Sequence, residues 1–253
     1  MAKIFITGSA DGLGQMAARL LVGQGHDVFL HARDDARADH ALSAVPGARK
    51  ALVADLSSQA ETKQLASEVN ALGRFDAIIH NAGVFKVPHD VVGKDGLPLV
   101  FSVNTLAPYL LTCLIEKPKR LIYMSSDMHM QGDPRFKDLT DGSLRSSYSD
   151  TKLHDLILAL AVARLWPDVY SNAVHPGWVP TKMGGLGAPD DLEKGYRTQT
   201  WLAASDDADA KVTGGYFHHQ QKIPYLRLAS DIGIQQQFLN LCEQISGVSL
   251  PTR

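Results

Sequence analysis

The sequence predicts an α/β fold, a doubly wound parallel sheet of about seven strands with helices on both faces. Short apolar runs alternate with segments of helical periodicity along the chain. The first run enters a glycine turn and then an amphipathic pattern. No repeat, low-complexity tract or linker divides the 253 residues, so residues 1–253 read as one domain.

The first strand and its turn are Lys3-Ile4-Phe5-Ile6-Thr7-Gly8-Ser9-Ala10-Asp11-Gly12-Leu13-Gly14. Met16, Ala17, Leu20 and Leu21 follow at helical spacing. A strand, tight turn and helix in that order aim backbone N–H groups and the positive helix end at one point, where a phosphate can sit. Gly8 permits the sharp turn, and Gly12 and Gly14 clear side chains from a close approach. Further strands read at Asp27–His31, Lys50–Ala54, Asp76–His80, Arg120–Met124 and Val169–Val174, with a seventh bordered by Gly214–Phe217. Helical patterns lie around Leu65, Val69 and Leu72, over Leu99–Leu114 and Leu153–Leu165, and at the end over Ile232–Ile245.

The net charge of −2 gives no pull toward nucleic acid or anionic membrane. Cys113 and Cys242 lack metal-ligand or redox spacing, so no metal site is expected and a reducing compartment is. The chain starts directly on a strand and has no apolar run of ~18 residues, so a cytoplasmic protein without a membrane partner is expected.

In such sheets ligands bind beyond the carboxyl ends of the strands. After the second strand a carboxylate at Ala32 would bind a ribose 2′-hydroxyl; none is there, and Arg33 follows. A guanidinium fork suits a 2′-phosphate, which favours NADP(H) over NAD(H), although Asp11, Asp34 and Asp35 are close in sequence. After the third strand Asp55-Leu56 offers a carboxylate either to an adenine amino group or to a helix N-cap. After the fourth, Asn81-Ala82-Gly83 supplies small residues over which a flat cofactor would pass, or simply a turn. After the fifth come Ser125-Ser126, and then Tyr148-Ser149-Asp150-Thr151-Lys152.

Tyr148 and Lys152 share one face of a helix. A phenol holds its proton to a pKa of about 10, and a nearby ammonium lowers that value. Tyr148 then becomes a proton donor or acceptor near neutral pH, and a serine beside it would hold a substrate oxygen. That is the chemistry of an alcohol/carbonyl pair: hydride to carbon, proton to oxygen.

These segments together resemble the short-chain dehydrogenase/reductase family over nearly the whole chain. Thr7-Gly8-Ser9-Ala10-Asp11-Gly12-Leu13-Gly14 is similar to that family's cofactor turn, and Asn81-Ala82-Gly83 to its Asn-Ala-Gly segment. Tyr148 and Lys152 match its active-site pair, Ser126 its catalytic serine, and Asn104 the helix asparagine that holds a water leading from the lysine to solvent. Pro176-Gly177-Trp178-Val179-Pro180-Thr181 resembles the segment that contacts the nicotinamide carboxamide and pyrophosphate. The resemblance implies a Rossmann-like fold and an NADP(H)-dependent oxidoreductase acting on a small alcohol or carbonyl compound, with Lys152 also holding the nicotinamide ribose. A competing class is an NADP(H)-binding sensor without turnover; such a protein is expected to lose the tyrosine or lysine, and both are present.

Ser125-Ser126-Asp127-Met128-His129, Asp138-Leu139, the tyrosine segment and Gly214-Gly215-Tyr216-Phe217 are similar to the retinol-dehydrogenase-like branch. The hydrophobic N-terminal anchor of many retinol dehydrogenases is missing from these residues, which argues against a retinoid substrate. The stretch from Asn104 to Ser125 is ~1.5 helical turns short. In many relatives that helix builds a dimer interface, so a homo-oligomer through it is expected to be weak or absent. Met128, His129, Met130, Trp178 and Met183 are candidate pocket residues, with His129 read as a surface or substrate-loop side chain. The glycine-rich Met183–Pro189 begins a substrate loop near 183–200.

Overall fold

The computed structural model describes residues 1–88, 90–134, 136 and 146–251. Its centre is an eight-stranded sheet in the order β3-β2-β1-β4-β5-β6-β7-β8. The strands are β1 (Lys3–Ile6), β2 (Asp27–Ala32), β3 (Lys50–Val53), β4 (Ala77–His80), β5 (Arg120–Met124), β6 (Tyr170–Val174), β7 (Tyr216–His218) and β8 (Gln221–Lys222). Every pairing is parallel except that of β7 with the two-residue edge strand β8. The eighth strand has no apolar run to announce it; it exists because the chain turns back at His219-Gln220, both at positive φ.

Helices α1 (Gly12–Gly23), α2 (Asp35–Ala44) and α6 (Leu192–Ala204) pack on one face of the sheet. On the other lie α3 (Gln59–Ala71), α4 (residues 99–114), α5 (Tyr148–Leu165) and α7 (Ile232–Ser246). The central strands β1, β4 and β5 are buried on both faces, which is why they read as continuous apolar runs. Helix α5 is buried almost all round, from Thr151 to Val162, so its sequence lacks a polar stripe.

Helix α4 is α-helical at Leu99–Phe101 and Ala107–Leu114, with a π-helical segment, Ser102–Leu106, between them. Its residues 101–113 are all buried within the chain. Tyr109 Oη donates to Val248 O (2.7 Å) and Trp166 Nε1 to Pro251 O (2.9 Å), tying the C-terminal segment down beside α4 and α5. No helix among the described residues is long and apolar enough to cross a membrane.

The chain order reverses between β1 and β4, the point at which sheets of this kind leave a crevice beyond the strand ends. The glycine turn leaves β1 on one side of it, and Asn81-Ala82-Gly83 leaves β4 on the other. The 183–200 segment divides: turns run to Asp190, and α6 takes over from Leu192.

Candidate active site

Both lips of the crevice are held by short polar bonds. Thr7 Oγ1 accepts from Asn81 N and Ala82 N, each at 3.0 Å. Asn81 Nδ2 donates to Thr7 O and Gly8 O, again at 3.0 Å. Gly8 has φ +62°, and a Cβ there would sit 2.7 Å from Ala82 Cα. A Cβ on Gly14 would strike Asn81 Nδ2. Thus Asn81 and Ala82, which the sequence offers as a path for a flat cofactor, also clamp the glycine turn.

A buried histidine supports the same turn. His31, at the end of β2, accepts from Gly8 N at Nδ1 (2.9 Å), so Nε2 carries the proton and donates to Ala54 O (3.0 Å). Burial lowers its pKa to about 4 and keeps it neutral. Ser9 Oγ donates to Ile6 O and accepts from His31 N, completing the knot. Sequence reasoning passed over His31; its one signal was a polar ring ending an apolar strand.

The start of α1 is open. Asp11 is its N-cap residue but makes no side-chain cap bond, and a Cβ on Gly12 (φ +55°) would meet nothing within 4 Å. The Asp11 carboxylate instead accepts from Arg37 Nη2 (2.8 Å) and Lys182 Nζ (3.3 Å). Burial opposes its charge, yet these two cations hold it below the usual carboxylate range. First-turn N–H groups without a side-chain cap, beside open space, fit a phosphate. Leu13 packs toward Gly195 of α6, where an added Cβ would also meet Val179 and the Pro176 carbonyl.

At the end of β2, Arg33 is largely exposed and pairs loosely with Asp34 (3.3 Å). Asp34 is committed to capping α2, accepting from Arg37 N at 2.9 Å. The Asp34 carboxylate is thereby engaged, and the Arg33 guanidinium stays accessible. Asp55 does not cap α3. It accepts from Ser57 N (2.9 Å) and lies 3.5 Å from Lys94, while Ser58 caps α3 and Leu56 is buried.

Ser147 and Asp150 cap α5 reciprocally and fix Tyr148 in its first turn. Lys152 Nζ lies 5.5 Å from the Tyr148 ring. It donates to Met124 O at the end of β5 and to Asp155 Oδ2, each at 2.7 Å. Gly83 sits beside it: a Cβ there would be 3.8 Å from Lys152 Nζ and 3.5 Å from Asn104 Oδ1. Asn104, in the π-helical segment, accepts from Val84 N (2.8 Å) and donates to Val84 O (3.0 Å) and Thr151 Oγ1 (3.1 Å). Tyr148, Lys152, Asn104 and the end of β4 therefore meet in one place.

The phenol differs from the sequence expectation. Burial raises the Tyr148 pKa, Lys152 works against that, and Asp155 and Asp127 add to the rise. The net direction is up, not down, chiefly because the phenol is buried, and Asp155, which the Tyr-x-x-x-Lys spacing does not include, offsets part of the pull of Lys152.

The two serines after β5 divide their work. Ser125 is buried and donates to Lys152 O (2.7 Å), fastening α5 to the sheet. Ser126 is half-buried, donates to Asp127 Oδ1 (2.9 Å) and accepts from Met128 N (3.2 Å). His129 is not a surface side chain. It is buried, donates from Nδ1 to Ser126 O (2.6 Å) and accepts from Leu226 N at Nε2 (3.1 Å). Both ring nitrogens are used, so it props the serine segment.

Met130, Trp178 and Met183 are exposed. A cavity of about 190 Å³ borders Tyr148, lined by Phe85, Val87, Pro88, Val91 and Val100 among others. The Phe85 and Tyr148 ring centroids are 4.5 Å apart. Sequence reasoning missed this apolar wall, which comes from the segment after Gly83. On the opposite flank Gly177 has φ +89°, and a Cβ there would sit 2.8 Å from Asp190 Oδ2. That carboxylate accepts from Trp178 N (2.6 Å). Thr181 Oγ1 accepts from Gly184 N (3.2 Å) and Trp178 Nε1 donates to Gly184 O (2.9 Å), so the turns after Val179 close on themselves. Asp138 and Leu139 lie outside the described residues.

The profile of the short chain dehydrogenase family matches residues 2–132. An uncharacterized oxidoreductase of Emericella nidulans is 46% identical, over 99% of this chain and 99% of its own. The chain belongs to the short-chain dehydrogenase/reductase family. Its likeness extends to retinol dehydrogenase 14 of Homo sapiens, 28% identical over 97% of this chain and 86% of that one. A solved protein of Mycobacterium paratuberculosis superposes with a TM-score of 0.84, at 26% identity, covering 99% of this chain and 95% of its own. The family profile ends before Tyr148 and Lys152, so the helix carrying them is matched by the full-length relatives and not by the profile.

Proposed function

We propose that this short-chain dehydrogenase/reductase reduces a small carbonyl compound with NADPH, or oxidises the corresponding alcohol. One observation carries the reading: Tyr148 and Lys152 stand beside Asn104 and Gly83 at the mouth of the crevice that the uncapped glycine turn opens.

The nicotinamide, when bound, supplies or accepts the hydride. Tyr148 Oη gives its proton to the carbonyl oxygen as the C=O π bond opens, and takes one in the reverse direction. Lys152 counters the charge left on the phenolate and holds the nicotinamide ribose. Ser126 binds the substrate oxygen after turning from Asp127. Asn104 holds a water in the space that Gly83 leaves beside Lys152. Thr7, Gly8, Ser9, Asp11, Gly12, Leu13 and Gly14 form the phosphate cradle. Asp55, Leu56, Asn81 and Ala82 lie along the adenine and ribose path, and Pro176, Gly177, Val179 and Thr181 along the nicotinamide.

The preference for NADP(H) rests on Arg33, accessible where a 2′-phosphate would lie, with Asp34 spent as a cap. The apolar wall from Phe85 to Val100 suits an apolar ketone, aldehyde or quinone. Residues 1–253 act as one unit in this reading, with the turns before α6 as the substrate loop. Two buried free thiols, Cys113 and Cys242, suit a reducing cytoplasm. The burial of α4 under the chain's own C-terminal segment supports a protein without a dimer through that helix. Sedimentation at micromolar concentration should give a monomer; a stable oligomer cross-linked through α4 would refute it.

The test of function is a panel of ketones, aldehydes and quinones with NADPH, followed by nicotinamide absorbance. Turnover that Tyr148→Phe abolishes supports the reading. Tight NADPH binding with no turnover across the panel would point instead to a sensor.

A further inference from the structure

The family reading leaves one buried charge at the site without a role. Asp155 follows Tyr148 and Lys152 on the same stripe of α5, one turn below the ammonium. Its side chain is 4% exposed and that of Lys152 5%, so the pair is shut away from water. Lys152 Nζ has two acceptors, Met124 O and Asp155 Oδ2, both at 2.7 Å. A carboxylate enclosed this way is costly unless paired, and here its partner is the very cation that acts on Tyr148.

We propose that Asp155 is a positioning residue that pins the Lys152 ammonium beneath the Tyr148 ring and keeps the phenol protonated, extending carbonyl reduction to higher pH. This rests on the reading of Tyr148 as proton donor.

The geometry separates two effects of the ammonium. Lys152 alone would attract the phenolate. With Asp155 in contact, the pair presents Tyr148 with nearly balanced charges, so the field on the phenol is small and burial decides. The other ionisable groups around the pair do not reverse this. Asp127, from the turn after β5, adds negative charge near Tyr148, and Tyr216 on β7 is a buried phenol. Tyr123 on β5 is a buried phenol held above its ordinary range, chiefly by burial and partly by Asp155. Burial pushes Asp155 itself up to about 6, and the Lys152 ammonium at 2.7 Å pulls the other way, toward the carboxylate. Burial would lower Lys152, but Asp155 and Tyr148 hold it above its ordinary value.

The experiment needs neither cofactor nor substrate. Ultraviolet absorbance of the cofactor-free protein is titrated with alkali for the parent and for Tyr148→Phe; their difference is the Tyr148 phenolate. The same difference is then taken in the Asp155→Asn background. The phenolate should form at lower pH there, and Asp155→Glu should restore the parent curve. Asp155→Ser serves if the asparagine variant does not fold. With NADPH and a carbonyl compound turned over by the parent, the alkaline limb of reduction should move the same way, with a ~3- to 10-fold loss of rate on that side, the scale of one screened charge at this distance. A phenolate curve that stays in place or moves to higher pH in Asp155→Asn overturns the proposal. Should Tyr148→Phe keep the parent turnover while the titration shifts, the proton-donor reading fails and the electrostatic coupling stands without its catalytic consequence.

Discussion

Helices α1 and α5 both begin at the carboxyl edge of the sheet, and their first turns are built in opposite ways. At α5 the Ser147 hydroxyl accepts from Asp150 N (3.1 Å) and the Asp150 carboxylate accepts from Ser147 N (2.7 Å). Asp150 also accepts from Asp133 N (2.8 Å). At α1 the N-cap residue itself, Asp11, is drawn off by Arg37 and Lys182, and its helix carries no side-chain cap. A helix start whose donors are satisfied internally is a rigid mount for side chains, here Tyr148 and Lys152. A start whose donors lack a cap is itself a binding surface. The two halves of the proposed reaction, holding a phosphate and moving a proton, fall to these two kinds of helix end.

The largest effect expected at the mounted end is on chemistry. Tyr148→Phe keeps the ring against Phe85 and removes the hydroxyl. It should lower kcat for carbonyl reduction by ~10²–10⁴-fold with NADPH affinity nearly unchanged. Single-turnover hydride transfer measures this, and an unchanged rate would move the proton donor elsewhere.

At the open end the turn depends on a neutral ring. The His31 pKa is about 4 in the folded chain and near 6.5 when exposed, so the unfolded chain takes up the proton first. Stability that depends on neutral His31 is complete above pH 6.5 and is lost as pH falls toward 4, at up to about 1.4 kcal/mol per pH unit. Urea unfolding of the parent over that window should show this slope, and His31→Gln should flatten it. Equal slopes in the two proteins would remove His31 from the support of the glycine turn.

A smaller change separates phosphate recognition from the turn itself. NADPH should bind at least tenfold tighter than NADH, about 1.4 kcal/mol, and Arg33→Ala should erase most of that difference. Fluorescence titration with both nucleotides decides it; equal affinities in the parent would sink the assignment.

The smallest effect sharpens the contrast between the helix starts. Ser147→Ala breaks the box at α5 and should cost about 1 kcal/mol of stability. Asp11→Ala removes no cap from α1, so its effect on denaturant unfolding should be the smaller of the two. A larger loss from Asp11→Ala would mean that its ion pairs, and not helix capping, hold this edge together.

Much of this molecule can be read along the chain. The strand runs at Ile4–Ile6, Ile78–Ile79 and Leu121–Met124 are apolar because both sheet faces are covered, and helical spacing alone puts Tyr148 and Lys152 on one face. Those are local properties: backbone periodicity converts a pattern of side chains into an element and a face. The glycine turn is legible for the same reason, since glycines and a following helix define it within a dozen or so residues.

Contacts between distant residues are a different matter. His31 on Gly8, Arg37 and Lys182 on Asp11, and the apolar wall after Gly83 depend on how strands register and how far the sheet twists, and no spacing rule states that. Even Asp155, only three residues from Lys152, was silent in the sequence. An acid at that position on an exposed helix would be an ordinary surface ion pair of small effect. Packing against β5 and α7 removes the water, and the same two side chains become a buried ion pair beside the candidate proton donor. Local pattern determined the elements and the identity of the chemistry; burial, which only the assembled layers decide, determined the direction in which its charges act.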